Sequence, residues 1–165
     1  AYAALAQEAG ADLLINQCSS VSEAADIYAK ELDIPVLKID QPMAEKAVAM
    51  GKKIALVTTN TTTVGPSRRL LERCAKAAGK EIEVVECVVD GAMEVLFAGD
   101  VKKHNDMLRG MIESQDGKVD VIVLAQGSMI AIMPEITHVK TPVLTSIPLG
   151  VERAVERIHQ RENAD

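Results

Sequence analysis

DLLINQCSSV, running from Asp12 to Val21, returns as DVIVLAQGSM from Asp120 to Met129, and the echo continues downstream of both copies. PVLKIDQP from Pro35 answers PVLTSIP from Pro142, and EKAV from Glu45 answers ERAV from Glu152. The offset is 108 at Asp12 and Ser20 and 107 at Pro35 and Ala47, so one deletion reconciles the copies. A period of this length is too long for a solenoid unit and implies two halves built on one plan of strand, loop and helix. In that register Cys18 stands opposite Gln126. Sliding the copies by one residue pairs Gln17 with Gln126 and puts Cys18 opposite Gly127, so the second half lacks the thiol in either register.

The repeat also predicts an asymmetry of length. Between Ile54 and Asp120 lie two further strands and two helices, whereas only 11 residues precede Asp12. Symmetry therefore calls for about 55 residues ahead of Ala1, so the N-terminal part of the first half is expected to be missing from this sequence.

The 165 residues, 48% of them hydrophobic, suffice for one ordinary core or two small lobes. No apolar run approaches the ~18 residues that span a bilayer, and the N-terminus has no basic leader, so the expectation is a soluble, cytoplasmic protein with no membrane partner. A net charge of -6 argues against nucleic acid as a partner. Aromatic residues at 2%, with one Phe and no Trp, supply no stacking platform for bases or a flavin and predict a small or polar pocket. Cys18, Cys74 and Cys87 show neither CxxC spacing nor neighbouring histidines, so no metal is expected and the thiols read as free.

Short apolar runs alternating with longer amphipathic segments predict an α/β fold with parallel strands. The strands are expected at Leu13–Ile15, Val36–Ile39, Ile54–Thr58, Ile82–Val89, Val119–Leu124 and Val143–Leu144. Ser20-Val21-Ser22-Glu23 matches a capping box and predicts a helix from there to Leu32. Further helices are expected over residues 1–9, over Met43–Met50, up to Ala78 with Pro66 in the first turn, over 92–114 with a break near Gly99-Asp100, and over Val151–Arg161. The repeat divides the chain into residues 1–50, 51–150 and a terminal helix, 151–165, that returns to the first lobe.

Ligands of parallel α/β sheets bind where strands end and helices begin. Cys18-Ser19-Ser20 lies at such a place, where unpaired N–H groups and the helix dipole favour a thiolate, so Cys18 is the candidate base or nucleophile. Thr58-Thr59-Asn60-Thr61-Thr62-Thr63 ends the equivalent strand of the second half and offers hydroxyls and helix N–H groups to an anion, with Thr58, Thr59 and Asn60 as candidate contacts. Gln126-Gly127-Ser128 is the counterpart of the cysteine loop, and the Gln126 amide can hydrogen-bond an enolate or carboxylate oxygen without exchanging a proton. His104 and His159 read as surface residues, and His138 lies near the last strand on the wrong side for chemistry. Cys74 fits the buried stripe of its helix and Cys87 a strand interior, while Met129 and Met133 read as core filler.

Asn16-Gln17-Cys18-Ser19-Ser20-Val21, Thr58-Thr59-Asn60, Val123-Leu124-Ala125-Gln126-Gly127-Ser128-Met129 and Pro148-Leu149-Gly150-Val151-Glu152 together resemble the aspartate/glutamate/hydantoin racemase superfamily, which also includes maleate isomerases and arylmalonate decarboxylases. The resemblance implies two pseudo-symmetric flavodoxin-like lobes with the site in the cleft between them, no cofactor, and a homodimer. It implies a racemase or isomerase that acts next to the carboxylate of an amino acid or hydantoin-type substrate, with Cys18 as the proton-transferring cysteine. In the racemases a second cysteine works from the other lobe; here Gln126 occupies that place as the remaining catalytic candidate. Ser19, Ser20, Thr58, Thr59, Asn60, Gly127 and Ser128 are the implied substrate contacts. A one-thiol decarboxylase or lyase and a non-catalytic binder of small carboxylates are the alternatives.

Overall fold

The computed structural model describes residues 1–163 and contains two sheets, all of whose strands are parallel. β1 (Leu14–Asn16) pairs with β2 (Val36–Lys38) in a two-stranded sheet. β3 (Lys53–Thr58), β4 (Glu83–Val88), β5 (Val121–Leu124) and β6 (Val143–Thr145) form the other in the order β4-β3-β5-β6. The helices are α1 (Tyr2–Glu8), α2 (Ser22–Tyr28), α3 (Gln41–Met50), α4 (Thr61–Ala77), α5 (Ala92–Phe97), α6 (Val101–Gln115) and α7 (Ser146–Glu162).

The internal repeat is a repeat of hydrogen bonds. Leu14 pairs with Val36, and Ile122, its counterpart, pairs with Val143. The Leu14 N–H donates to the Pro35 carbonyl at 2.9 Å, and the Ile122 N–H donates to the Pro142 carbonyl at 2.9 Å. Both copies of the sequence therefore encode the same strand pair in the same register.

β3 and β5 form the centre of the larger sheet and are covered on both faces, which is why they read as unbroken apolar runs. Alternate side chains divide between two cores. Ile54, Leu56, Val121 and Val123 face Met43 and Val48 of α3 and Leu70, Leu71 and Cys74 of α4. Ala55, Val57, Ile122 and Leu124 face Leu108 and Ile112 of α6 together with Met129 and Ile132.

Two glycines are required by close packing. A Cβ at Gly51 would lie 2.2 Å from Asp120 Cβ, because Asp120 closes over this turn to accept the Lys52 and Lys53 N–H groups at 2.7 and 2.8 Å. A Cβ at Gly150 would lie 2.6 Å from the Ile39 carbonyl oxygen, so α7 rests directly on the backbone that leaves β2. Ion pairs tie the outer surface. Glu23 binds Arg69 at 2.7 Å, Asp26 binds Arg73 at 3.1 Å, and Glu45 binds Arg153 at 2.8 Å.

Most element boundaries shift by a residue or two from the sequence reading. The helix expected to reach Leu32 ends at Tyr28 and continues as a 3-10 turn over Ala29–Glu31, and further departures have physical causes. Ser19–Val21 forms a 3-10 turn, α2 starts only at Ser22, and neither has a side-chain cap; the Ser20 hydroxyl is turned instead toward Thr62 and Thr63, at 3.3 and 3.4 Å. Pro66 lies beyond the first turn of α4, and the helix runs through it, although proline has no N–H to donate to the Thr62 carbonyl. α7 begins at Ser146, five residues earlier than expected, because Pro148 falls in its first turn, where a missing N–H costs nothing. A 3-10 segment over Gly127–Glu135, absent from the sequence reading, packs Met129 and Ile132 into the core. The break between α5 and α6 falls at Gly99-Asp100 as expected, with Gly99 at φ +87° and Asp100 accepting the Lys103 N–H at 3.0 Å.

Candidate functional site

β1, β3 and β5 end in the three loops singled out from the sequence, and hydrogen bonds bring those loops together. Cys18 follows β1 in extended conformation. Its N–H donates to Asn16 Oδ1 at 3.2 Å, its carbonyl accepts from the Val21 N–H at 3.2 Å, and Asn16 is held in turn by donating to the Tyr28 hydroxyl at 3.3 Å. The backbone of Cys18 is thus fixed on both sides while its side chain is exposed.

The neighbouring serine makes the connection between sheets. The Ser19 hydroxyl donates to the Ala125 carbonyl at 3.1 Å across 106 residues, in a buried position. Ala125 itself is anchored by its N–H to the Val57 carbonyl at 3.0 Å. This bond places the cysteine loop against the residue preceding Gln126. It also commits the Ser19 hydroxyl proton to the protein, so this side chain serves as a tie between loops.

Gln126 is locked onto the Thr58-Thr59 loop. Its Oε1 accepts from the Thr59 N–H at 2.8 Å and lies 3.2 Å from the Thr58 hydroxyl, and its Nε2 donates to the Thr59 hydroxyl at 2.9 Å. The amide oxygen is therefore occupied, while the second N–H of Nε2 is not used by this loop. Thr58 is fully buried, and its hydroxyl also engages Asn60, accepting the Asn60 N–H at 3.1 Å; it shapes the loop rather than presenting a surface to a ligand. Asn60 caps α4, with Oδ1 accepting the Thr62 N–H at 3.0 Å and the Thr62 hydroxyl at 2.9 Å. Its amide nitrogen and the Thr59 hydroxyl proton are donors that the loop's own bonds leave unused. Gly127 opens the 3-10 segment beside Ile147, whose Cδ1 would lie 3.2 Å from a Cβ there, and Ser128 is exposed.

Thr59 and Asn60 also line a pocket of about 250 Å³ at the ends of β3 and β4, together with Asp90, Glu94 and the exposed Phe97. A larger cavity of about 720 Å³ lies between α3 and α4 over Cys74, away from Cys18, and its charged groups are already paired: Asp26 with Lys38 and Arg73, Glu45 with Arg153, and Lys80 with the Val48 and Ala49 carbonyls. Cys74 and Cys87 are buried, and burial raises both thiols above their ordinary pKa. His138 pairs with Glu113 at 2.8 Å, and His104 with its neighbour Asn105, both outside the three loops. Among the described residues no three His, Cys, Asp or Glu side chains converge as a metal site, and no helix is long and apolar enough to cross a membrane.

Two residues here escaped the sequence reading. Asn16 was part of a motif, but its hold on the Cys18 N–H depends on a side-chain orientation that spacing does not encode. Asp40 follows β2 and is only 3% exposed, with neither carboxylate oxygen hydrogen-bonded. The available signal was an acidic residue at a helix start immediately after a buried strand, a pattern that ordinarily indicates a cap.

The fold recurs in known proteins. The family model described as Asp/Glu/Hydantoin racemase matches residues 1–154. No curated protein matches the chain by sequence. Among solved structures, allantoin racemase from Klebsiella pneumoniae aligns with a TM-score of 0.70 at 18% identity, over 94% of this chain and 63% of that one. Glutamate racemase from Francisella tularensis, in complex with D-glutamate, aligns with a TM-score of 0.72 at 11% identity, over 96% of this chain and 61% of that one. Allantoin racemase from Pseudomonas fluorescens aligns with a TM-score of 0.67 at 21% identity, over 97% and 69%. The chain thus spans less than two thirds of the Klebsiella and Francisella proteins, and at these identities the likeness is one of fold. With the family model covering nearly its whole length, this chain belongs to the Asp/Glu/hydantoin racemase family.

Proposed function

We propose that this chain carries the proton-transfer half-site of a cofactor-independent racemase or isomerase acting at the carbon next to the carboxylate of an amino acid or hydantoin-type substrate. The observation that supports the reading best is the Ser19–Ala125 bond, which sets the exposed Cys18 thiol beside the loop of Gln126. In this reading the Cys18 thiolate removes the proton, leaving a planar enolate. The leading N–H groups of the 3-10 turn at Ser19 and Ser20 stabilise the enolate oxygen. The Thr59 hydroxyl and the Asn60 amide nitrogen grip the carboxylate. Gly127 and Ser128 close the opposite side, and Gln126 contributes its free amide N–H. On this reading the chain divides at Gly51, with the cleft between the parts.

Full inversion needs a proton donor on each face, and an amide is not one. The expected behaviour is therefore exchange of the proton with solvent faster than inversion. Because the Gln126 oxygen is held by Thr59, a second reading follows from the same geometry: a decarboxylase or lyase that needs only one thiol. Loss of CO₂ would generate the enolate and Cys18 would return the single proton.

Incubating the protein in D₂O with amino acids, hydantoins, malonates and maleate, and following the substrate by NMR, tests both. Deuterium incorporation, isomer conversion or CO₂ release that vanishes in Cys18→Ala supports thiol chemistry and separates the two reactions. Binding without turnover, unaffected by Cys18→Ala, would move the reading to a non-catalytic binder of small carboxylates.

A further inference from the structure

Asp40 is placed where a helix cap belongs and does not cap. Caps adopt extended backbone and turn a side-chain oxygen back to the helix N–H groups. Asp40 instead has helical φ and ψ of -88° and -14°; its main-chain carbonyl accepts the Ala44 N–H, and its carboxyl is directed into the protein. There it is 3% exposed, and both oxygens lack a hydrogen-bond partner. The Ser22 hydroxyl, 1% exposed, is a second buried group without one. Ser19 lies beside the carboxyl but donates its proton to Ala125.

A charged carboxylate with no donor is costly in such a place, whereas a neutral carboxyl is itself a donor. Burial is the largest influence on the Asp40 pKa and raises it. The positive groups that face it are Lys38 and Arg73, both already paired with Asp26, and Arg153 of α7 is taken by Glu45 one turn along α3. Neither Lys38 nor Arg73 is hydrogen-bonded to Asp40, and their shared positive charge offsets only part of the effect of burial. The Ser19 oxygen, having donated its proton, still has lone pairs to accept one.

We propose that Asp40 is a positioning residue for the cysteine loop: its neutral carboxyl donates to the Ser19 hydroxyl, which passes the bond on to the Ala125 carbonyl and so holds Cys18 against the opposite loop. When Asp40 ionises it becomes an acceptor only. It then competes with Ala125 for the Ser19 proton, and the tie between the loops loosens. The catalytic consequence rests on Cys18 being the reacting group; the coupling itself does not.

The test reads the Cys18 loop without needing turnover. The rate of Cys18 alkylation by iodoacetamide is followed by peptide mass spectrometry from acidic to alkaline pH. Asp40→Ala and Ser19→Ala are each expected to speed alkylation about fivefold at mildly acidic pH, the equivalent of one neutral hydrogen bond. The double variant should be no faster than either single one, because both remove the same chain of bonds. Asp40→Asn, which keeps a donor, should restore the native rate and should lack the added acceleration that the native protein shows once Asp40 ionises. Additive effects, an Asp40→Ala protein with the native profile, or failure of Asp40→Asn to restore the rate would each overturn the proposal. If Cys18→Ala retained catalysis, the functional reading would fail while these labelling results would still decide the role of Asp40.

Discussion

Gln126 closes a two-bond ring on Thr59, its Oε1 accepting the backbone N–H at 2.8 Å and its Nε2 donating to the hydroxyl at 2.9 Å. Gln126, the counterpart of Cys18 in the sequence repeat, is thus a structural clasp between the ends of β5 and β3. Replacing it by Ala leaves the buried Thr59 groups without partners and should cost about 1–3 kcal/mol in urea unfolding. Gln126→Cys should cost a similar amount, because a thiol cannot make both bonds to Thr59. A Gln126→Cys protein as stable as the native one would contradict the clasp.

Cys18→Ser should leave stability within about 0.5 kcal/mol, because the side chain is exposed and the backbone bonds to Asn16 and Val21 remain. Exchange of the substrate proton should fall by about 10²-fold or more, since a hydroxyl is a far weaker acid and base than a thiol near neutral pH. Unchanged melting together with lost deuterium incorporation is the expected pair of results. Loss of both would mean that Cys18 matters to the fold.

Asp40 and Asp120 should give opposite pH dependences. Burial raises Asp40, so the folded state holds its proton to higher pH than the unfolded chain does. Its contribution is full below the ordinary aspartate value of about 3.9 and is lost as pH rises toward the raised folded value. Thermal melts should therefore show Asp40→Asn gaining on the native protein as pH climbs above about 4. A constant difference between the two across that range would contradict a buried neutral acid.

The Lys53 and Lys52 N–H groups hold Asp120 below its ordinary value, so its contribution is present above about 3.9 and disappears as pH falls through the lower folded value. Asp120→Ala should lower the melting temperature at neutral pH and leave it unchanged in strong acid. Gly51→Ala attacks the same turn by steric means, pushing the Asp120 side chain off the Lys52 and Lys53 N–H groups, and should cost about 1–3 kcal/mol at neutral pH. In strong acid, where the Asp120 charge no longer contributes, thermal melts should show only the steric part of that loss.

What was legible in the sequence was what repeats or alternates. The two copies placed Leu14 against Val36 and Ile122 against Val143 in one register, and the apolar runs of β3 and β5 marked strands covered on both faces. Polar side chains with a choice of partners were not legible. Ser20 fits a capping box by spacing, but its hydroxyl is satisfied by Thr62 and Thr63, more than 40 residues away. Asp40 resembles a cap by type and is not one because of its backbone conformation. The terminal helix was expected only from Val151, whereas α7 begins at Ser146 with Pro148 inside its first turn. For the site, the repeat pointed to the Cys18 and Gln126 loops, but the bond from Ser19 to Ala125 that joins them exists only in three dimensions.

The ties between the elements fall into two chemically distinct sets. On the outside, Glu23–Arg69, Asp26–Arg73 and Glu45–Arg153 join half-exposed charges, whereas beside Cys18 the loops meet through the hydroxyls of Ser19 and Ser20. Dissolved salt screens the first set and hardly touches the second. Ionic strength can therefore slacken the outer shell while the loop around the thiol keeps its shape, so the protein's rigidity and its reactivity answer to different properties of the surrounding solution.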